Sequence, residues 1–76
     1  MPHIIVKIVS GKSEQQKCSL SQAITKRVTN ILGYGKDAAS VAFEEVAAKD
    51  WMDQVFEPEI QGKQKTLYKK PGYDSL

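Results

Sequence analysis

The sequence predicts an α/β fold with a single βαβ unit, and three patterns along the chain support this prediction. An apolar run at residues 2–9 suits a strand, apolar residues recur at helical spacing over residues 14–32, and a second apolar run lies within residues 37–46. A strand, a helix and a second strand in this order predict two parallel strands joined by a right-handed crossover. The last third of the chain predicts a C-terminal helical segment.

The first strand is predicted over residues 2–9, which are rich in isoleucine and valine. Alternation places Ile4, Val6 and Ile8 on one face and leaves Ile5 and Val9 on the other. A strand that is apolar on most of both faces is typical of a sheet interior. A turn at residues 10–12 follows it.

The helix is predicted over residues 14–32 with a signal at each end. Ser13 suits the N-cap, Gln16 is placed as its capping-box partner, and Gly33 supplies the stop. Spacings of three and four then form one apolar stripe, which consists of Leu20, Ala23, Ile24, Val28, Ile31 and Leu32.

The second strand is predicted within Asp37–Val46, with Val41 and Phe43 on one face. The helix covers one face of the resulting sheet, so the other face is expected to be open, apolar and in need of a cover. We therefore expect the sheets of two copies to pair across a homo-oligomer.

The last third of the chain predicts two helical pieces. Trp51, Val55 and Phe56 are spaced like one face of a short helix, and Pro58 suits the first turn of a second one. Residues 73–76 are expected to form a tail.

Length and composition predict one domain, over residues 1–76. A chain this short has a thin core, and its single cysteine, Cys18, cannot form an intrachain disulfide. One cysteine and one histidine cannot build a structural zinc site, so no structural metal is expected. Association with a partner is then the expected source of stability.

Charge and hydropathy limit the partners and the compartment. Eleven basic and nine acidic residues leave a net charge of +2, too weak for a nucleic-acid binder. The N-terminal apolar run is too short for a secretion signal or a membrane span. Neither a nucleic acid nor a membrane is therefore expected as a partner. A lone cysteine fits a reducing compartment, so a cytoplasmic location is predicted.

Pro2 is the one position that suggests chemistry. Removal of Met1 would leave Pro2 with a free secondary amine, and α-amino groups titrate near about 7.7–8.0. Burial lowers that pKa because the charged form loses solvation, which suits a general base near neutral pH. A proline that simply opens a strand is the structural alternative.

Two stretches near the start of the chain resemble a known family: Pro2-His3-Ile4-Ile5-Val6-Lys7 and Gly11-Lys12-Ser13-Glu14-Gln15-Gln16-Lys17. That family is the 4-oxalocrotonate tautomerase family, whose members begin with a strand opened by proline, a turn, and a helix that opens with a Glu-Gln-Lys cluster. The later part is similar to its tautomerase PptA subgroup, through Trp51, Glu59-Ile60 and Lys69-Lys70-Pro71-Gly72-Tyr73. The resemblance covers residues 2–73.

The resemblance implies a tautomerase/MIF-like fold and a cofactor-independent isomerase that moves a proton between keto and enol forms of a small 2-oxo acid. Pro2 matches the catalytic base. Lys12 matches an arginine that binds the substrate carboxylate, and Trp51 matches an aromatic residue that lines the pocket. Phe43 is expected to add apolar surface. The subgroup favours a homodimer, with a hexamer as the alternative.

The chain departs from the family where many members carry a second arginine, which polarises the substrate carbonyl. The matching position here is Ser40 or Ala42, depending on the alignment. Lys12 is moreover a point charge and lacks the planar fork of arginine. A monoacid such as an arylenolpyruvate therefore suits this chain better than a dicarboxylate.

Two other functions stay open at this stage. A protonated Pro2 could assist hydration or dehalogenation of small acrylic acids, with Glu44 or Glu45 activating water. A non-catalytic dimeric binding module is the other alternative, because a retained Met1 would leave the prolyl nitrogen as an amide without a basic lone pair.

Overall fold

The structure is a computed structural model that describes residues 1–74. The strands are β1 (His3–Val9) and β2 (Ser40–Val46), and the long helix between them is α1 (Glu14–Leu32). A π-helix at Met52–Gln61 and single 3₁₀ turns at Lys36–Ala38, Ala48–Asp50 and Gln64–Thr66 complete the elements. The α/β class and the βαβ order are therefore confirmed. Of the predicted tail, residues 75–76 lie outside the described residues.

The two strands pair in parallel, as three contacts between them show. The Ser40 N–H donates to the Pro2 carbonyl at 3.2 Å, and His3 Nδ1 and Ser40 Oγ are hydrogen-bonded at 2.6 Å. Further along, Lys7 Nζ lies 3.6 Å from a carboxylate oxygen of Glu44. Partners advance together along both strands, which is the parallel arrangement.

Helix α1 lies over the sheet face that carries Ile8 and Phe43. Both residues line one cleft together with Leu20 of the helix, and Lys17 of the helix pairs with Glu45 of β2 at 3.5 Å. Side chains alternate between faces, so the His3–Ser40 and Lys7–Glu44 contacts belong to the opposite face. The prediction of an apolar open face is therefore wrong in part, because these polar pairs occupy it.

The ends of α1 follow from its capping residues. Ser13 Oγ accepts a hydrogen bond from the Gln16 N–H at 3.1 Å, and the Ser13 N–H donates to Gln16 Oε1 at 3.0 Å. At the other end Gly33 adopts φ 78° and its N–H donates to the Thr29 carbonyl at 3.0 Å. This left-handed backbone favours glycine. The predicted bounds of the helix are confirmed.

The predicted apolar stripe of α1 divides in the structure. Ile24 and Val28 are half-buried, whereas Ile31 is 78% exposed. The buried residue of the helix is Thr29, whose hydroxyl donates to the Thr25 carbonyl at 2.8 Å. Part of the apolar helix surface thus stays uncovered in the single chain. No helix within residues 1–74 is long and apolar enough to cross a membrane.

The chain divides into two compact units, Met1–Glu45 and a second that begins at Val46. Val55 and Phe56, on the π-helix, form the buried apolar core of the second unit. The single domain over residues 1–76 stays a prediction.

The π-helix runs through Pro58 without a break, so Pro58 does not begin a second helical piece and that prediction is wrong. Its closing hydrogen bond runs from the Gly62 N–H to the Glu57 carbonyl at 2.9 Å, five residues back. A Cβ on Gly62 would lie 2.7 Å from the Pro58 carbonyl oxygen. The last turn of the π-helix can therefore close in this way because Gly62 has no side chain.

Candidate active site

Pro2 lies at the N-terminal edge of the sheet, immediately before β1. It is half-buried, whereas Met1 is exposed. The carbonyl of Pro2 accepts the Ser40 N–H, so β2 holds the residue in place. With Met1 attached, the prolyl nitrogen is an amide.

Lys12 lies beyond the opposite end of β1. The strand has seven residues and rises about 3.3 Å per residue, so its first and last residues are about 20 Å apart. One chain therefore does not bring Pro2 and Lys12 together.

A cleft of about 310 Å³ opens where β1 ends and α1 begins. Its apolar walls are Ile8, Val9, Leu20 and Phe43, and its polar walls are Lys12, Gln16 and Lys17. The structure thus brings together two of the predicted substrate-binding residues, Lys12 and Phe43. The cleft combines a cation with an apolar surface, and a ligand that carries a carboxylate and an apolar group would use both.

Lys17 is the second lysine of the cleft, and the sequence reasoning missed it. Its ammonium lies 3.1 Å from a carboxylate oxygen of Glu14 and 3.5 Å from one of Glu45. The hydrogen bond to Glu14 raises the pKa of Lys17 above its ordinary value, and the charges of both carboxylates add to this while desolvation opposes it. Helical spacing could have indicated the Glu14 contact, but the Glu45 contact depends on the fold.

Trp51 belongs to the C-terminal unit, at the start of the π-helix. Its indole N–H donates to the phenol oxygen of Tyr73 at 2.8 Å, and the Tyr73 ring lies 5.6 Å from that of Phe56. Tyr73 is therefore packed on the π-helix, which corrects its assignment to a tail. Trp51, the predicted pocket wall, is held by this contact within its own unit.

No cation occupies either position that could match the family's second arginine. Ala42 carries no polar group, and the Ser40 hydroxyl is hydrogen-bonded to His3. The two glutamates that are candidates for activating water in a hydratase are each paired with a lysine, Glu44 with Lys7 and Glu45 with Lys17. Within residues 1–74, no group of three or more histidine, cysteine, aspartate or glutamate side chains could hold a metal ion.

Comparison with known proteins places the chain in a family. A family model described as tautomerase enzyme matches residues 2–56. A probable tautomerase of Xylella fastidiosa is 43% identical over 76 residues, which are 100% of this chain and 93% of that protein. The chain therefore belongs to the tautomerase family, whose activity is an isomerisation, and the predicted family and enzyme class are confirmed.

Further relatives are proteins called tautomerase PptA. That of Pectobacterium atrosepticum is 38% identical over 74 residues, covering 96% of this chain and 97% of that protein. That of Escherichia coli is 34% identical over 74 residues, with the same coverage. A solved structure titled apo unFused 4-OT shares the fold, with a TM-score of 0.63 and 22% identity over 64% of this chain and 80% of that chain.

Proposed function

We propose that the chain catalyses keto–enol proton transfer on a small 2-oxo or enol carboxylic acid such as an arylenolpyruvate. Pro2, freed by removal of Met1, is the general base. The observation that carries the proposal is the tautomerase family match, which begins at Pro2 itself. No cofactor enters the reaction.

The chemistry asked of Pro2 is a transfer of one proton. The free prolyl amine removes the proton from the enol hydroxyl, and the resulting prolinium protonates the neighbouring carbon to leave the ketone. Atoms and charge balance, because the amine ends the cycle as it began. A base whose pKa lies near the working pH suits both halves of the cycle.

Substrate binding is assigned to the cleft at the end of β1. Lys12 would bind the substrate carboxylate, while Phe43 and its apolar neighbours would take the aryl group. We propose Trp51 as a further wall of the assembled pocket, in keeping with the position it matches in the family.

Two copies of the chain are needed to build this site. Pro2 and Lys12 lie beyond opposite ends of β1, so a substrate that touches both would meet Pro2 of one copy and Lys12 of another. A homodimer is the simplest assembly of this kind, with a hexamer as the alternative. The uncovered helix surface at Ile31 supports association.

Three further predictions belong to this proposal. Residues 1–76 act as one tautomerase domain, the substrate is a small anion, and the location is cytoplasmic. The last of these is supported by the free, exposed thiol of Cys18, which suits a reducing compartment.

The test compares three proteins with the ketonisation of phenylenolpyruvate as the assay. Protein that begins at Pro2 should be active. Pro2→Ala should lose about 10²–10⁴-fold in kcat, the usual contribution of a positioned base. Protein that retains Met1 keeps Pro2 but blocks its nitrogen, so it is the matched control and should be equally inactive. Full activity of the blocked protein would rule out the proline mechanism.

Mixing two variants, each of which lacks one of the two residues, tests the shared site. Pro2→Ala and Lys12→Ala copies that exchange subunits form hybrid dimers, each with one site that keeps both residues. About a quarter of the full activity should return if the dimer is two-fold symmetric. No recovery after proven subunit exchange would show that the site does not combine the two residues from different copies.

A further inference from the structure

The two lysines of the cleft differ in their charge environment. The Lys12 side chain is exposed, and no carboxylate of residues 1–74 forms an ion pair with it. The Lys17 side chain is only 15% exposed and lies between Glu14 and Glu45, at 3.1 and 3.5 Å. Two cations therefore line one cleft, and only Lys12 is free to meet an anion.

The net charge around Lys17 determines whether a carboxylate ligand can bind beside it. Lys17 contributes one positive charge and its two glutamates contribute two negative ones, so that group carries a net charge of −1. A carboxylate placed beside Lys17 would also lie beside both glutamates and be repelled. A carboxylate beside Lys12 meets no such opposition.

The two glutamates are not equivalent. The Glu14 side chain is 91% exposed and lies in the first turn of α1, so it can turn away into solvent at little cost. The Glu45 side chain is 38% exposed and is carried by β2, on the sheet face beneath the helix. Glu45 is the better fixed of the pair.

We propose that Glu45, assisted by Glu14, is a specificity-determining residue that restricts the cleft to ligands with one carboxylate. It does so by neutralising Lys17, which otherwise would offer a second cation to a dicarboxylate. This inference rests on the proposed function, because it takes the cleft as the substrate-binding site. It would also account for the proposed preference for a monoacid without reference to the missing second arginine.

The test measures inhibition of phenylenolpyruvate ketonisation by two matched series, alkanoates and α,ω-alkanedioates of four to eight carbons. In the unaltered protein the monocarboxylates should bind at least as tightly as the dicarboxylates of equal length. In Glu45→Gln, and more strongly in Glu14→Gln/Glu45→Gln, the preference should shift towards a dicarboxylate by at least about threefold.

Two controls isolate Lys17 as the cause. Glu44→Gln removes the neighbouring carboxylate, which faces the other side of the sheet and pairs with Lys7, and should leave the preference unchanged. Adding Lys17→Gln to the double variant should abolish the gain. If the double variant does not fold, as judged by circular dichroism, Glu45→Gln alone gives the same comparison.

The outcomes separate the two proposals. If Lys12→Ala weakens inhibition by both series but the glutamate variants leave the preference unchanged, the role of Glu45 is overturned and the cleft assignment stands. If Lys12→Ala changes neither turnover nor inhibition, the cleft is not the substrate site and the proposed function fails in that part. A shift of equal size in Glu44→Gln would overturn the role of Glu45 as well.

Discussion

The indole N–H of Trp51 donates a 2.8 Å hydrogen bond to the phenol oxygen of Tyr73, 22 residues further along the chain. The Tyr73 ring also lies 5.6 Å from that of Phe56, a buried residue of the π-helix. One tyrosine thus ties the end of the described chain to the residue proposed as a pocket wall.

Tyr73→Phe should lower the free energy of unfolding by about 1 kcal/mol, because it removes one partly buried hydrogen bond and keeps the ring. Urea unfolding followed by tryptophan fluorescence measures this directly, since Trp51 is the only tryptophan. Tyr68→Phe, at a fully exposed tyrosine, is the control and should change neither stability nor the emission of Trp51. Equal effects of the two variants would contradict the prediction.

Gly62→Ala should destabilise the C-terminal unit by about 1–3 kcal/mol, the usual range for a side chain forced into occupied space. The new Cβ would lie 2.7 Å from the Pro58 carbonyl oxygen and 3.0 Å from that of Glu57, so the end of the π-helix must shift. Thermal unfolding measures the loss. Gly72→Ala is matched to it, because its Cβ would meet nothing within 4 Å. A neutral Gly62→Ala would show that the helix end relaxes freely.

Ser13→Ala should cost about 0.5–2 kcal/mol, the usual range for loss of an N-cap side chain. The variant leaves the Gln16 N–H without the hydroxyl that accepts it at 3.1 Å. Ser19→Ala, at an exposed position within α1, is the control and should be neutral or slightly stabilising, since alanine favours helices. Denaturant unfolding of both variants makes the comparison, and a loss confined to Ser19→Ala would contradict the assignment of the cap.

Stability should depend on Lys17 at alkaline pH. Its pKa is raised above the ordinary 10.5, chiefly by the hydrogen bond to Glu14. The folded state therefore holds this proton more tightly than the unfolded state does. The contribution of Lys17 to stability is fully present below pH 10.5 and disappears as the pH rises through the raised pKa of the folded state.

Glu14→Gln should accordingly lower the pKa of Lys17 and reduce the alkaline loss of stability. Titration of the Lys17 ε-methylene signals by NMR measures the first effect, and unfolding curves between pH 7 and pH 11 measure the second. Glu57→Gln is the control, as an exposed glutamate in the other unit. If the titration of Lys17 is unchanged in Glu14→Gln, Glu45 alone raises the pKa of Lys17.

The outcome for the C-terminal third shows where pattern reading fails. The spacing of Trp51, Val55 and Phe56 rightly predicts a helix, but the assignment of Pro58 to a new helix is wrong. That assignment follows from α-helical bonding four residues back, whereas this segment closes with a bond five residues back onto Glu57. Over so short a segment, hydrophobic spacing does not distinguish a π-helix from an α-helix.

The sequence by itself determined the βαβ order, the bounds of α1 and the candidate residues Pro2, Lys12, Phe43 and Trp51, because periodicity, capping and motif resemblance are local properties. Only the tertiary structure decided that Lys12 and Phe43 share a cleft, that Pro2 lies at the far end of the sheet, and that Glu45 pairs with Lys17. These relationships join residues distant in the chain, and they arise when the crossover stacks α1 on one particular face of the sheet. No local pattern specifies that choice.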